Sequence, residues 1–131
     1  MSWTLRIVMS AMCAMLLMPG EAQACERIAF DDDTIDKLWA SEPIEETVLW
    51  FGACEDLRVY RNTIFARHGF DFENEWVLAW FTDNEPRWKP VTGMDNAQVE
   101  GELSQVDWAN LKLVQTVEKQ SSCDEHWKAR E

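Results

Sequence analysis

The stretch "EDLRVYRNTIFARHGFDF" (55–72) decides the fold. Leu57, Tyr60 and Ile64, with Arg61, Phe65 and His68 beside them, recur at spacings of three and four. That pattern draws an apolar stripe with a polar edge along one helix, expected from Glu55 to His68. Glu55 and Asp56 stand at its positive end, where carboxylates are favoured, and Arg67 and His68 at the other, where cations meet unpaired carbonyls. Gly69 follows, able to take the left-handed conformation that closes a helix. Arg67-His68-Gly69 therefore reads as punctuation rather than as a reactive site.

Working outward, "EWVLAWFTDN" (75–84) is a second amphipathic helix, pairing Trp76 with Trp80 and Val77 with Phe81 before Pro86 stops it. Residues 84–98 form a turn-rich connection with two prolines and Trp88. A last helix begins at Leu103-Ser104, where Ser104 and Asp107 form a capping box and Leu103 and Trp108 are placed as a hydrophobic staple. Val106, Leu111, Leu113, Val114 and Val117 supply its buried face. Upstream, Asp33 is the expected N-cap of a short helix through "TIDKLWA", and Ser41 precedes "EPIEETVLWF", with proline in the first turn and Gly52 at the end. Nothing alternates with period two for long enough to make a strand. The expectation is an all-α single domain of four to five short helices.

That domain follows a segment that is set aside. In residues 1–24, Arg6 precedes the apolar run "IVMSAMCAMLLM", Pro19-Gly20 breaks it, and "AQA" supplies small residues for a signal peptidase. A dozen apolar residues are too few to span a bilayer, which needs roughly 20. This is a secretory signal, with cleavage expected after Ala24 and a periplasmic or secreted destination. The net charge of −12 makes nucleic acid and anionic lipid poor partners, because both select basic surfaces. The expected organisation is a signal at 1–24, an acidic segment with short helices at 25–47, the main domain at 48–118 and a polar tail at 119–131.

Export also makes a disulfide the expectation, and Cys25, Cys54 and Cys123 are an odd number. Cys54 with Cys123 is the candidate bridge, closing a long loop worth up to about 4 kcal/mol in the chain-entropy model. Cys25 is then a spare thiol or a lipid carrier. Ala22 stands where a bacterial lipoprotein signal normally has leucine, which favours the spare thiol. The sequence does not fix the connectivity.

The run "LRVYRNTIFARHGFDF" (57–72), with "WFTDNEPRWKP" (80–90) and "LSQVDWANLKLVQ" (103–115), resembles the YARHG domain, a small, presumed extracytoplasmic bacterial domain. Here "FARHG" (65–69) stands for its most typical string, with Phe65 in the tyrosine position. Leu57, Arg58, Arg61, Asn62 and Ile64 supply the preceding pattern, and Trp88-Lys89-Pro90 the later aromatic element. The resemblance spans about residues 48–118. It implies a cell-envelope domain found alone or appended to peptidases and kinases, without an established activity of its own.

Catalytic readings find little support. Cys54 and His68 on one helix are about 21 Å apart at 1.5 Å per residue, too far for a nucleophile–base pair or a shared zinc ion with Cys123 and His126. Asp31, Asp32, Asp33 and Asp36 lack the glycine turn and spaced oxygens of a calcium loop. No catalytic residue, metal or cofactor is expected. Arg58, Arg61, Asn62 and Arg67 form either a carboxylate-binding fork or a set of ties between helices. Trp76, Trp80 and Trp108 read as core, and Trp88 as an exposed platform. The sequence thus points to a non-enzymatic envelope binding module for a cell-wall glycan or peptide, or for an envelope protein. Its candidate binding residues are Arg58, Arg61, Asn62, Arg67, His68 and Trp88. The alternatives are a cell-wall-acting hydrolase and a purely structural accessory domain.

Overall fold

The structure is a computed structural model that describes residues 31–128. The signal segment, its cleavage after Ala24 and the fate of Cys25 lie outside the described residues. Those residues are all-α, with no strand among them. The helices are α1 (Asp32–Trp39), α2 (Glu46–Trp50), α3 (Cys54–Arg67), α4 (Glu75–Asn84), α5 (Asn96–Glu102), α6 (Gln105–Gln120) and α7 (Cys123–Lys128).

The central helix α3 carries the architecture, with α1 and α6 packed against it and α2 and α7 against α6. Leu57, Val59, Tyr60, Thr63, Ile64 and Ala66 of α3 are buried. At 100° per residue they cover about half its circumference, leaving Arg58, Arg61 and Asn62 on the opposite face. Ile35 and Leu38 of α1, Leu49 of α2 and Leu111, Val114 and Val117 of α6 are buried too. The phenol of Tyr60 reaches the start of α1, where its oxygen accepts from the Asp31 N–H at 3.1 Å. Burial pushes the Tyr60 hydroxyl up to about 12, so it stays neutral there.

A second cluster lies beyond the end of α3. Phe72, Val77 and Phe81 are buried with Ala66, and Trp39, Phe65, Phe70, Trp80 and Trp88 pack around them. Phe72 stacks on Phe81 at 4.9 Å between centroids, and Trp88 tilts against Phe72 at 5.4 Å. The Trp88 indole N–H donates to the Phe70 carbonyl at 3.0 Å. Trp88 is thus half-buried and anchored, not the exposed platform its loop position suggests. Trp76 and Trp108, expected in the core, are exposed. Trp76 lies instead under the Arg58 guanidinium, 5.3 Å from its carbon, where a cation over an aromatic face replaces burial.

The helix boundaries show where distant partners override local signals. Asp31, not Asp33, caps α1, accepting from the Asp33 N–H and the Thr34 hydroxyl. Residues 42–45 stay out of α2 because Asn110 of α6 takes their backbone: its oxygen accepts from the Ile44 N–H and its amide donates to the Glu42 carbonyl. Asp56 reaches back to the Ala53 N–H at 2.8 Å at the start of α3, although Ala53 has no side-chain oxygen to reciprocate. The turn-rich connection contains α5, capped by a reciprocal pair between Asp95 and Gln98. Ser104 and Asp107 form the expected capping box of α6. The described part of the polar tail contains α7 and is tied down through Cys54–Cys123, whose Cα atoms are 5.4 Å apart.

Gly69 follows α3 with φ +82°, as the helix stop requires. Its second role is to let another chain segment pass close by. The Val91 N–H donates to the Gly69 carbonyl at 2.8 Å, and a Cβ at position 69 would sit 2.9 Å from Val91 Cγ2 and 3.3 Å from the Lys89 carbonyl oxygen. Gly69→Ala is therefore expected to lower unfolding free energy by about 1–2 kcal/mol, the usual cost of a left-handed non-glycine residue. The backbone angle dominates, so urea titration should show the loss persisting in a Val91→Ala background. Recovery of full stability there would assign the effect to the steric contact instead.

Candidate functional site

The six candidate residues fall into three places. Arg67 and His68, at the end of α3, face Asp107 in the first turn of α6. Arg67 Nη1 lies 3.0 Å from Asp107 Oδ2, and His68 Nε2 lies 3.1 Å from the same oxygen. His68 Nδ1 faces Glu102 at 3.5 Å. These side chains meet a buried carboxylate rather than the bare carbonyls of their own helix. Asp107 is 1% exposed and also accepts from the Ser104 N–H at 3.1 Å and the Ser41 hydroxyl at 2.9 Å. Burial alone would raise its pKa, but the bonds from Ser104, Ser41 and His68 and the Arg67 charge outweigh burial and hold it below the usual carboxylate range. Ser41 reaches this knot from a backbone at φ +56° just past α1.

Arg58, Arg61 and Asn62 occupy the second place, a cleft of about 380 Å³. Its floor is apolar, from Phe70, Phe72, Val77 and Met94. Asp71, Glu73, Asn74 and Asp95 line it from the loops after α3 and before α5, and Asn96 from the first position of α5. The basic groups thus come from one helix and the acids from two loops. Asp71 Oδ2 accepts from the Gly93 N–H at 3.1 Å, which links those loops. Trp88, the third location, belongs to the aromatic cluster and is not among the cleft's lining residues.

The cleft arginines are held by aromatic and acidic neighbours. Arg58 lies over both Trp76 and Trp127, and Arg61 over Trp127 at 5.2 Å. Arg61 Nε is 3.1 Å from Glu118 Oε1 on α6. Neither atom is aligned for a hydrogen bond, and both are buried, so the pair is coulombic without a directional bond. Asn62 donates to the Arg58 carbonyl one turn back. His126 of α7 meets Glu55 at 2.9 Å, beside the disulfide. Another tie joins Arg87 to the buried Glu85 and to Asp36 of α1. Burial would raise the Glu85 carboxyl, but the Arg87 bonds and charge hold it low.

Sequence reasoning found the arginines but not the loop acids or Glu118. A signal for Glu118 was present, because it lies at i+7 and i+4 from the buried Leu111 and Val114, where the apolar stripe of α6 should continue. The loop acids carry no such local mark, since they meet the cleft only once the chain folds back. Among the described residues no group of three or more His, Cys, Asp or Glu side chains could hold a metal ion. No described helix is long and apolar enough to cross a membrane.

Burial pushes Glu118 up to about 7, with Arg61 opposing, Asp124 reinforcing and Arg58 opposing. A carboxyl raised above its unfolded value binds more protons in the native state between the ordinary carboxylate range and about pH 7. Stability from this group is full below that range and is lost as pH rises through about 7. Urea titrations across that window should show native stability falling more in the wild type than in Glu118→Gln. Identical pH slopes in the two proteins would contradict this assignment.

The profile of the YARHG domain family matches residues 50–119. Comparison with curated proteins and with solved structures returned no match. The family is a small, presumed extracytoplasmic domain of unknown function, and the disulfide joining α3 to α7 is consistent with that compartment. The profile covers more than half of the 131-residue chain, including α3, the Arg67–Asp107 knot and most of the cleft. The chain belongs to the YARHG domain family.

Proposed function

We propose that this protein is a non-enzymatic binding module of the cell envelope, exported by residues 1–24 with cleavage after Ala24. Its ligand is a cell-wall component, with an envelope protein as the other partner class. The observation that carries this reading is the cleft between α3 and the loops at 70–74 and 93–96. It combines an apolar floor with a few polar groups of both signs, the usual composition of a recognition site. A peptide with carboxylate, amine and aliphatic parts suits such a surface better than a neutral sugar does.

A binding role is favoured over hydrolysis because two of the cleft's acids already serve the fold. Asp71 accepts from Gly93, and Asp95 caps α5. Arg67, His68 and Trp88, by contrast, support the site from behind. They position α6 and the aromatic wall, so ligand contact is assigned to Arg58, Arg61 and Asn62.

Co-sedimentation with purified cell-wall sacculi tests the reading. The wild-type protein is expected to pellet with sacculi above an acidic control protein. Asn62→Trp, which places bulk in the cleft from a half-buried position on α3, should reduce pelleting several-fold with an unchanged melting temperature. Wild-type pelleting no greater than the control would remove the cell wall as ligand. Unaltered pelleting by Asn62→Trp would remove the cleft.

A further inference from the structure

Arg61 faces two ways. Arg61 is one of the residues that line the cleft, and its buried Nε lies 3.1 Å from Glu118 Oε1. Glu118 is 5% exposed, and its Oε1 has no hydrogen-bond partner. A buried carboxylate whose contact with Arg61 is misaligned recovers little of its desolvation cost from that pair. The charges acting on Glu118 are Arg61 and Arg58 from α3 and Asp124 from α7. Asp124 repels the ionised form, and burial opposes it more strongly still. The result is a side chain poised near half-ionisation at about pH 7.

We propose that the cleft takes the carboxylate of a peptide that also carries a cationic group, and that this carboxylate competes with Glu118 for Arg61. This rests on the cleft being the recognition site. When the ligand carboxylate pairs with Arg61, Glu118 loses the larger of its two compensating charges, leaving Arg58, and takes a proton from solvent. One carboxylate enters the neighbourhood as another is neutralised, so the local charge balance is kept. Asn62, one residue along α3, supplies an amide donor for the second carboxylate oxygen. Asp71, Glu73 and Asp95 receive the ligand's cation, and Phe70, Phe72, Val77 and Met94 its aliphatic portion. The ligand class is therefore a short zwitterionic peptide end, and binding is coupled to proton uptake.

Isothermal titration of the purified protein tests this with N-acetyl-Lys-D-Ala-D-Ala and with the same peptide as its C-terminal amide. A competing group titrating near 7 leaves about a tenth of the protein binding-competent one unit above that pH, so the free-carboxylate peptide should bind about tenfold more weakly at about pH 8 than at about pH 5.5. Titrations in two buffers of different ionisation enthalpy should report close to one proton taken up per peptide at the higher pH. Glu118→Gln should bind at the higher pH as the wild type does at the lower, without proton uptake, and the amide should bind weakly throughout. The wild-type proton count needs no variant, so misfolding of Glu118→Gln would not shelter the proposal. Binding with no proton uptake, mapped to Asn62 and Met94 by backbone amide resonances, would overturn the exchange and leave the cleft as the site. Neither heat nor resonance shifts at either pH would overturn this inference, while the cleft reading falls separately on unaltered sedimentation of Asn62→Trp with sacculi.

Discussion

Asp107 sits where the negative end of α3 meets the positive end of α6. Each helix terminus leaves unpaired backbone groups and a partial charge; the carboxylate answers the positive end of α6, and the Arg67 and His68 side chains let it sit beside the negative end of α3. Its own helix supplies the Ser104 N–H, while α3 supplies Arg67 and His68. Ser41 adds a hydroxyl from the far end of α1, so three helices converge on one buried charge. An acid this deeply buried is tolerated only when its oxygens are fully engaged. The fixed crossing of α3 and α6 brings Asn110 to the 42–44 backbone and Glu118 to Arg61. The cleft inherits its basic wall from that placement.

The second constraint is the return of the chain over Gly69. The backbone of residues 89–91 crosses next to the glycine, and Trp88 is delivered onto Phe72 and Phe81. Arg67-His68-Gly69 and Trp88-Lys89-Pro90 are thus two halves of one contact. Arg67 and His68 hold α6, the glycine admits the returning backbone, and the tryptophan closes the aromatic cluster. Asp71 then catches the Gly93 N–H and sets the spacing of the loops that form the cleft's acidic side. A reactive histidine is not needed to account for any of these residues.

Local signals in the chain were sufficient for α3, α4 and α6, because stripe, cap and stop agree within each segment. Asn74 caps α4 and Ser104 caps α6 by bonds that span three residues or fewer. The failures share a physical cause. Residues 41–45 have a good local helix start, but Asn110 binds their backbone from far along the chain. The short α5 hides in a turn-rich segment, where only the Asp95–Gln98 pair marks it. Trp88 and Trp76 exchange the roles that their settings suggest. An indole N–H finds a carbonyl in the loop, and an arginine covers a ring on the helix. Arginine residues could be picked out as ties or forks from spacing alone, whereas their acids lie on other helices and became visible only in three dimensions.

The claim on which the rest stands is that Arg67 and Asp107 couple α3 to α6. A double-mutant cycle with Arg67→Met and Asp107→Asn, followed by urea denaturation with the disulfide intact, measures that coupling directly. The account predicts an interaction energy of about 1–2 kcal/mol, with each single variant less stable than additivity with the double variant allows. Strict additivity would mean that the two side chains are neighbours without holding the helices together, and would contradict the account.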